Sequence, residues 1–322
     1  MLRRHLWLAA ALPLAARAQP AFPDRPLRLI VPFAAGTSSD IQGRLIASRM
    51  GESLGQLIVV ENRAGGGGTV GAEAVAKARP DGHTLLLGSN GPLTVNPVIQ
   101  PRMPYDVGTE LASVALVSRS PLTLTVKADS PIRSLADLVA AARARPGDIT
   151  IGSSGQGSAT HFLIEQFMVA AGIRLTHVPY RGSSQSIPDL IAGNVQAVMG
   201  EVSTTTPVWR GGLIRILATT GPSRTPLMPE IGTLTEQGFP GLTGGSWAAL
   251  MTTGGTPEPA IRTLAAAANA ALADPTYRER QAEVGAQLSE EAVRSPAGLA
   301  AWLREERART RETAEKAGIR GE

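Results

Sequence analysis

The 322-residue chain contains no cysteine. Disulfides, thiol catalysis and cysteine-based metal sites are therefore excluded, while an oxidising compartment is allowed but not required. Histidine is almost as scarce. Beyond residue 18 only His83, His161 and His177 remain, and none has a second histidine at the i+2 or i+4 spacing of a metal-binding pair. Aromatic residues make up 4% of the chain, and no basic run has aromatics interleaved, so nothing suggests a surface that binds nucleic acid. Long apolar runs are also missing. The run Leu6–Leu14 is too short to cross a bilayer, and no later stretch is longer.

That short run has a different meaning. Arg3 and Arg4 precede it, and Ala16-Arg17-Ala18 follows as an A-x-A cleavage site, so residues 1–18 read as a signal peptide removed after Ala18. The expected product is an exported, soluble, periplasmic protein. The Arg3-Arg4 pair suits either a twin-arginine or an ordinary export signal. Cleavage also changes the charge balance. The full chain has 31 Lys+Arg and 27 Asp+Glu, but Arg3, Arg4 and Arg17 leave with the signal, and the mature net charge falls to +1. A balance this close to zero makes no case for nucleic acid or an acidic membrane surface.

About 300 mature residues are too many for one core and suit two α/β lobes. β-branched and leucine-rich runs predict strands at Leu27–Val31, Leu57–Glu61, Thr84–Leu87, Leu122–Val126, Thr150–Ile151, Thr176–Pro179, Ala197–Met199, Ile214–Thr219 and Trp247–Met251. Ala-, Leu- and Arg-rich helices such as Ala136–Ala144 and Ile261–Ala273 lie between them, with Asp274-Pro275 ending one helix and Ser295-Pro296 starting the last. Such alternation argues for an α/β fold of mostly parallel sheets with helices on both faces.

One stretch stands out, Ile149–Phe167 (ITIGSSGQGSATHFLIEQF). A short strand feeds a helix through a loop made almost wholly of glycine and serine. That arrangement aims free backbone N–H groups and the helix's partial positive charge at one point beyond the strand, a place for a carboxylate or phosphate. Leu27–Met50 repeats the device, with Ala34–Ser38 as the small-residue loop. Two such turns more than a hundred residues apart suggest two lobes sharing one anionic ligand. Ser89 and Asn90, after the Thr84–Leu87 strand, could also hydrogen-bond a ligand or simply form a turn. Tyr180 could wall the pocket, and Arg181 either supplies charge or sits on a solvated rim.

Catalytic readings fit poorly. Gly66, Gly68 and Gly71 match G-x-G-x-x-G, but Glu61-Asn62-Arg63-Ala64 separates them from the strand, and Gly88-Ser89-Asn90 occupies the place of the ribose-binding acid. Gly152–Gly157 resembles a nucleophile elbow, yet Gln156 stands where the second glycine is required. No enzyme, metal or cofactor is expected. His161, in the first turn of the helix after the second loop, lines a cleft or caps the loop; His83 and His177 read as structural.

The chain resembles the Bug-type receptors, the extracytoplasmic solute-binding proteins of tripartite tricarboxylate transporters. The resemblance is carried by RLIVPFAAGTSSD (28–40), VVENRAGGGGTVGAEAVAKARPDGHTLLLGS (59–89), GSSGQGSATH (152–161), HVPYRGSSQSIPDLIAGNV (177–195) and ATTGPSRTPLMPEIGTLTEQGFPG (218–241). It implies a two-lobe periplasmic binding protein, monomeric, that closes over a small organic acid and delivers it to the membrane subunits of such a transporter. A sensor that docks on a membrane signalling protein is the alternative. The lobes would be 22–121 plus 252–322, and 122–251, with Leu122–Val126 and Trp247–Met251 as hinge strands. By position, ligand contacts would come from Ala35, Gly36, Thr37, Ser38 and Ser89 in one lobe and Ser154, Gly155, Gly157, Ser158 and His161 in the other, with Asp40 stabilising its helix start. Three departures stand out. Gly36-Thr37 replaces the family's Gly-Gly, Gly91-Pro92 replaces Gly-Thr, and the family's Asp after the Val195–Met199 stretch is Gly200, with Glu201 beside it. Loss of that acid argues against amino-acid ligands.

Overall fold

The computed structural model describes residues 22–319 except 181, 284, 289 and 290. Residues 1–18, expected to be a signal peptide, and Arg181 lie outside the described residues. Along the chain come β1 (Leu27–Val31), α1 (Ser38–Leu54), β2 (Ile58–Asn62), α2 (Thr69–Ala76), β3 (Thr84–Gly88), a π-helical turn at Gly91–Val95, α3 (Asn96–Ile99) and β4 (Leu111–Lys127). Next are α4 (Leu135–Ala144), β5 (Thr150–Ser153), α5 (Ala159–Ala171), β6 (Thr176–Pro179), α6 (Ser183–Ala192), β7 (Ala197–Glu201), α7 (Val202–Arg210) and β8 (Ile214–Thr219). Last are β9 (Gly245–Thr253), α8 (Glu258–Ala273), α9 (Pro275–Glu283), β10 (Gln287–Leu288) and α10 (Pro296–Ala317).

The strands order themselves β2-β1-β3-β9-β4-β7-β5-β6, with β8 and β10 also on β4. Pairing is parallel within β2-β1-β3 and within β7-β5-β6. It is antiparallel wherever β4 and β9 join in. The sheets are thus mixed rather than mostly parallel, because the strands that link the two halves run against the strands they join. β4 does most of this linking. Its residues up to Pro121 pair with β9, and from Leu122 on they pair with β7 and β8. Trp247–Met251 pairs with the first half of β4 throughout, and Ala249–Met251 also with β3, so the second passage between halves comes at Gly244–Gly245, ahead of that segment.

Burial follows the period of the strands. Leu27, Leu29 and Val31 pack with Ile46, Met50, Leu264 and Leu272 on one face of the first half-sheet. Ile30 and Leu86 point the other way, onto Ala72, Val75, Leu299 and Leu303. Strands with two covered faces need apolar runs, which Leu29–Val31 of β1 and Leu85–Leu87 of β3 supply, while Arg28 is exposed. The second half has its own core, where Leu122, Leu124 and Ile151 meet Ile164 and Phe167 of α5. α10 ties the halves together, since Leu303 belongs to the first core while Ala314 packs with Phe162 and Gln166 Nε2 donates to Thr313 Oγ1 at 2.9 Å.

The glycine cluster before α2 is explained by packing. Gly65–Gly68 all have positive φ, and Gly67 O lies so close to Gly91 that a Cβ there would overlap it. Asn96 Nδ2 fixes the cluster through Gly66 O (3.0 Å) and Thr69 Oγ1 (3.0 Å). Gly91→Ala should therefore lower stability by about 1–3 kcal/mol, read from the urea midpoint. An unchanged midpoint would mean that this backbone contact is not tight.

Candidate functional site

Strand direction sets the place where a ligand can sit. β3 runs antiparallel to β9, and β9 antiparallel to β4, so β1 and β3 point the same way as β4; β7 and β5 point against it. The carboxyl ends of the two parallel sets therefore face each other across β4. Gly88 is level with Leu116 through Ala249, and Glu201 is opposite Leu122, an offset of about 20 Å at normal strand rise. In open α/β sheets ligands bind beyond the carboxyl ends of strands, and here two such ends share one gap.

On the first side, the loop after β1 is braced from beneath. Thr37 caps α1, accepting from Asp40 N, and its hydroxyl donates to Ala34 O at 2.8 Å. The buried Asp40 carboxylate accepts from Gly36 N (2.9 Å), Arg44 Nε (3.1 Å) and Asn62 Nδ2 (3.0 Å), and Asn62 also donates to Phe33 O. Burial alone pushes this carboxyl up, but the bonds from Gly36, Arg44 and Asn62 outweigh it and hold Asp40 below the ordinary aspartate range. The Gly36 N–H and the Thr37 hydroxyl are thus engaged inside the loop. Ala35 and Ser38 stay exposed, and the Ser38 amide, at the first helical position, has no acceptor within its helix.

The second loop is knitted more densely. Ser158 caps α5 through His161 N. Gly157 N donates to His161 Nδ1 at 3.2 Å, which places the imidazole proton on Nε2, 3.6 Å from Glu165 Oε1. The His161 ring stacks on His177 at 4.2 Å, and His177 Nε2 lies 2.6 Å from the buried Ser153 Oγ. Burial, reinforced by His161, holds His177 down to about 4, so it is neutral at ordinary pH. Gly155 N donates to Ser153 Oγ at 3.1 Å, and Ser154, Ser158 and Thr160 share a chain of hydroxyls. Gly157 has φ +72°, and a Cβ on it would come within 3.1 Å of Asn96 Oδ1, so this loop abuts the turn after β3.

The other sequence candidates have structural partners. Asn90 Nδ2 donates to Gly245 O at 3.2 Å and its Oδ1 accepts from Trp247 N at 3.3 Å, so its amide fastens the turn after β3 to the start of β9. The Tyr180 hydroxyl donates to Asp189 at 2.7 Å, and its ring packs near Gly152 and Ile187. Burial and that bond push Tyr180 up to about 12. Ser89 is half-buried just past β3. Glu201 ends β7 opposite Leu122, and its carbonyl accepts from Thr204 and Thr205 hydroxyls. Ser153 lay within the loop read from sequence, but neither it nor Thr160 and His177 was singled out as bracing it; the S-x-T spacing of Ser158 and Thr160 is the signal that could have exposed one of them. A cavity of about 710 Å³ continues from the first loop, lined by Gly36, Ser38, Ile41 and Arg44 and, across the gap, Ser203 and Thr204.

Two α/β halves on a shared strand, with small polar loops at facing strand ends, define the fold of a two-lobe periplasmic binding protein. Residues 43–318 match the tripartite tricarboxylate transporter family receptor, and the chain belongs to that family. It is 36% identical over 266 residues to protein BugT of Bordetella pertussis, covering 82% of each chain. Over the same length it is 38% identical to a Pseudomonas sp. (strain P51) protein named for the tcbD-tcbE intergenic region, covering 82% of this chain and 79% of that one. Among solved structures, an R. palustris protein with adipate superposes with a TM-score of 0.84 at 34% identity, covering 93% of this chain and 99% of that one. MatC from Rhodopseudomonas palustris with bound malate gives 0.82 at 30%, covering 91% and 99%. The family consists of solute-binding receptors.

Asp40 supplies a test of the first loop. A carboxyl whose folded pKa is depressed stabilises fully above its unfolded pKa and loses that contribution as pH falls through the folded value. Asp40→Asn should thus cost about 1–3 kcal/mol at pH 7. In paired urea melts the gap should narrow below about pH 4. A gap as large at pH 3 as at pH 7 would contradict this role.

Proposed function

We propose that this chain is a periplasmic receptor that captures a small carboxylate between its two lobes and presents it to the membrane subunits of a tripartite tricarboxylate transporter. The observation that carries the reading is the facing pair of carboxyl-end turns, each built from small residues and a helix start, with no lysine or arginine in either loop. A carboxylate suits such a place, since amide donors and helix N-termini hold anions without a fixed cation. Solved relatives hold adipate and malate, which supports the ligand class. Ala35, Thr37, Ser38 and Ser89 would face the acid from one side, and Ser154, Gly155, Gly157 and Ser158 from the other. Gly36, His161 and Asp40 would shape the loops.

The lobes would divide at Pro121/Leu122 and at Gly244/Gly245, because residues 247–251 pair only with first-lobe strands. Binding and hinge closure would be the whole mechanism, in a monomer, without catalysis. The Ser153–His177 contact resembles a nucleophile and base, but Ser153 is fully buried and His177 lies beneath the loop, so the pair suits bracing better than turnover.

A thermal-shift screen of the refolded mature protein tests this. A carboxylate present at about a hundred times its dissociation constant should add roughly 2.7 kcal/mol of stability, while neutral sugars add none. Stabilisation by sugars alone would overturn the reading.

A further inference from the structure

The hydroxyl chain of the second loop has a fixed direction. Gly155 O can only accept, so at 2.6 Å the Ser158 hydroxyl must donate to it. Ser158 has no second hydrogen, and its 2.8 Å contact with Thr160 Oγ1 therefore uses the Thr160 hydrogen. By the same count, the 2.8 Å contact between Ser154 Oγ and Thr160 Oγ1 uses the Ser154 hydrogen. The bonds run one way, from Ser154 to Thr160 to Ser158 to Gly155. Thr160 also accepts from Ser154 N at 2.8 Å, and Ser158 accepts from His161 N at 3.2 Å, so both of these oxygens are saturated. Ser154 is different. It has given away its one hydrogen, keeps both lone pairs, and has no donor to Oγ among the described residues. It is half-buried, immediately beyond the carboxyl end of β5.

A free carboxylate also carries only lone pairs. Turning the Ser154 hydrogen towards it would break the Ser154–Thr160 bond and leave two hydroxyl oxygens 2.8 Å apart with no hydrogen between them, so that bond could form only at the expense of one that braces the loop. Resting on the receptor reading above, we propose that Ser154 accepts a hydrogen bond from a hydroxyl group on the bound acid. The site then favours hydroxy-substituted carboxylates over unsubstituted ones of equal length, and Thr160 is the residue that positions Ser154 for this.

Calorimetric titration of the mature protein with three matched pairs tests the assignment: succinate and malate, glutarate and 2-hydroxyglutarate, propionate and lactate. In whichever pair binds, the hydroxy acid should bind roughly three- to tenfold tighter. Ser154→Ala should bring the two affinities together. Thr160→Ser, which keeps the hydroxyl, should preserve the preference, and Thr160→Val, which frees the Ser154 hydrogen, should shrink or reverse it. The assignment is overturned by equal wild-type affinities within a pair. It is equally overturned if Ser154→Ala weakens both acids by the same factor, or leaves the preference intact. Ser154→Ala decides the matter even where Thr160→Val does not fold. Binding by none of the six acids would instead contradict the carboxylate reading, and this inference with it.

Discussion

The arrangement depends on one strand. β4 pairs with β9 in its first part and with β7 and β8 in its second, so a single run of backbone spans both halves. Because β4 lies parallel to one set of strands and antiparallel to the other, both sets direct their carboxyl ends into the same gap. Pro121 sits at the changeover. A proline cannot donate to a ladder, so it fits where a strand leaves one neighbour for another. Gly245 pairs with it, and a Cβ there would overlap the Ser120 carbonyl. The two segments thus pass each other closely where the proposed lobes would divide.

A second constraint acts on the loops. Small polar loops at helix starts have many donors and acceptors, and most of these are engaged internally. Asp40, Asn62 and Thr37 hold the first loop, while Thr160, Ser158, Ser153 and the two stacked histidines hold the second. Internal satisfaction fixes the loops before a ligand arrives, which reduces the ordering cost of binding. It also leaves a short set of groups facing the gap. In the proposed receptor, specificity would rest on which few atoms remain unpaired rather than on how many polar residues the loops contain.

Much of this was legible in the sequence, for identifiable reasons. Leu27–Val31, Thr176–Pro179 and Ile214–Thr219 read correctly as strands, the first and last because mostly apolar stretches are bounded by turn residues. Residues 111–120 of β4 did not, since Pro121 reads as a break and only the structure places it at a change of partner. The two loop–helix turns were legible from composition, and Thr37 and Ser158 cap the helices that follow them. The fate of single side chains was not. Asn90 bonds to a strand 155 residues away, and Tyr180 to Asp189 across a turn, pairings that neither periodicity nor spacing encodes.

In the proposed receptor both lobes grip one small acid. With no native cysteine, spin labels can be placed at Leu57→Cys and Val169→Cys, exposed positions on opposite halves. Pulsed electron resonance then measures the distance between them with and without an acid that raises the melting temperature. A shorter, narrower distribution is expected in the presence of that acid. A distribution unchanged by a stabilising acid would contradict it, because the ligand would then be held by one lobe alone.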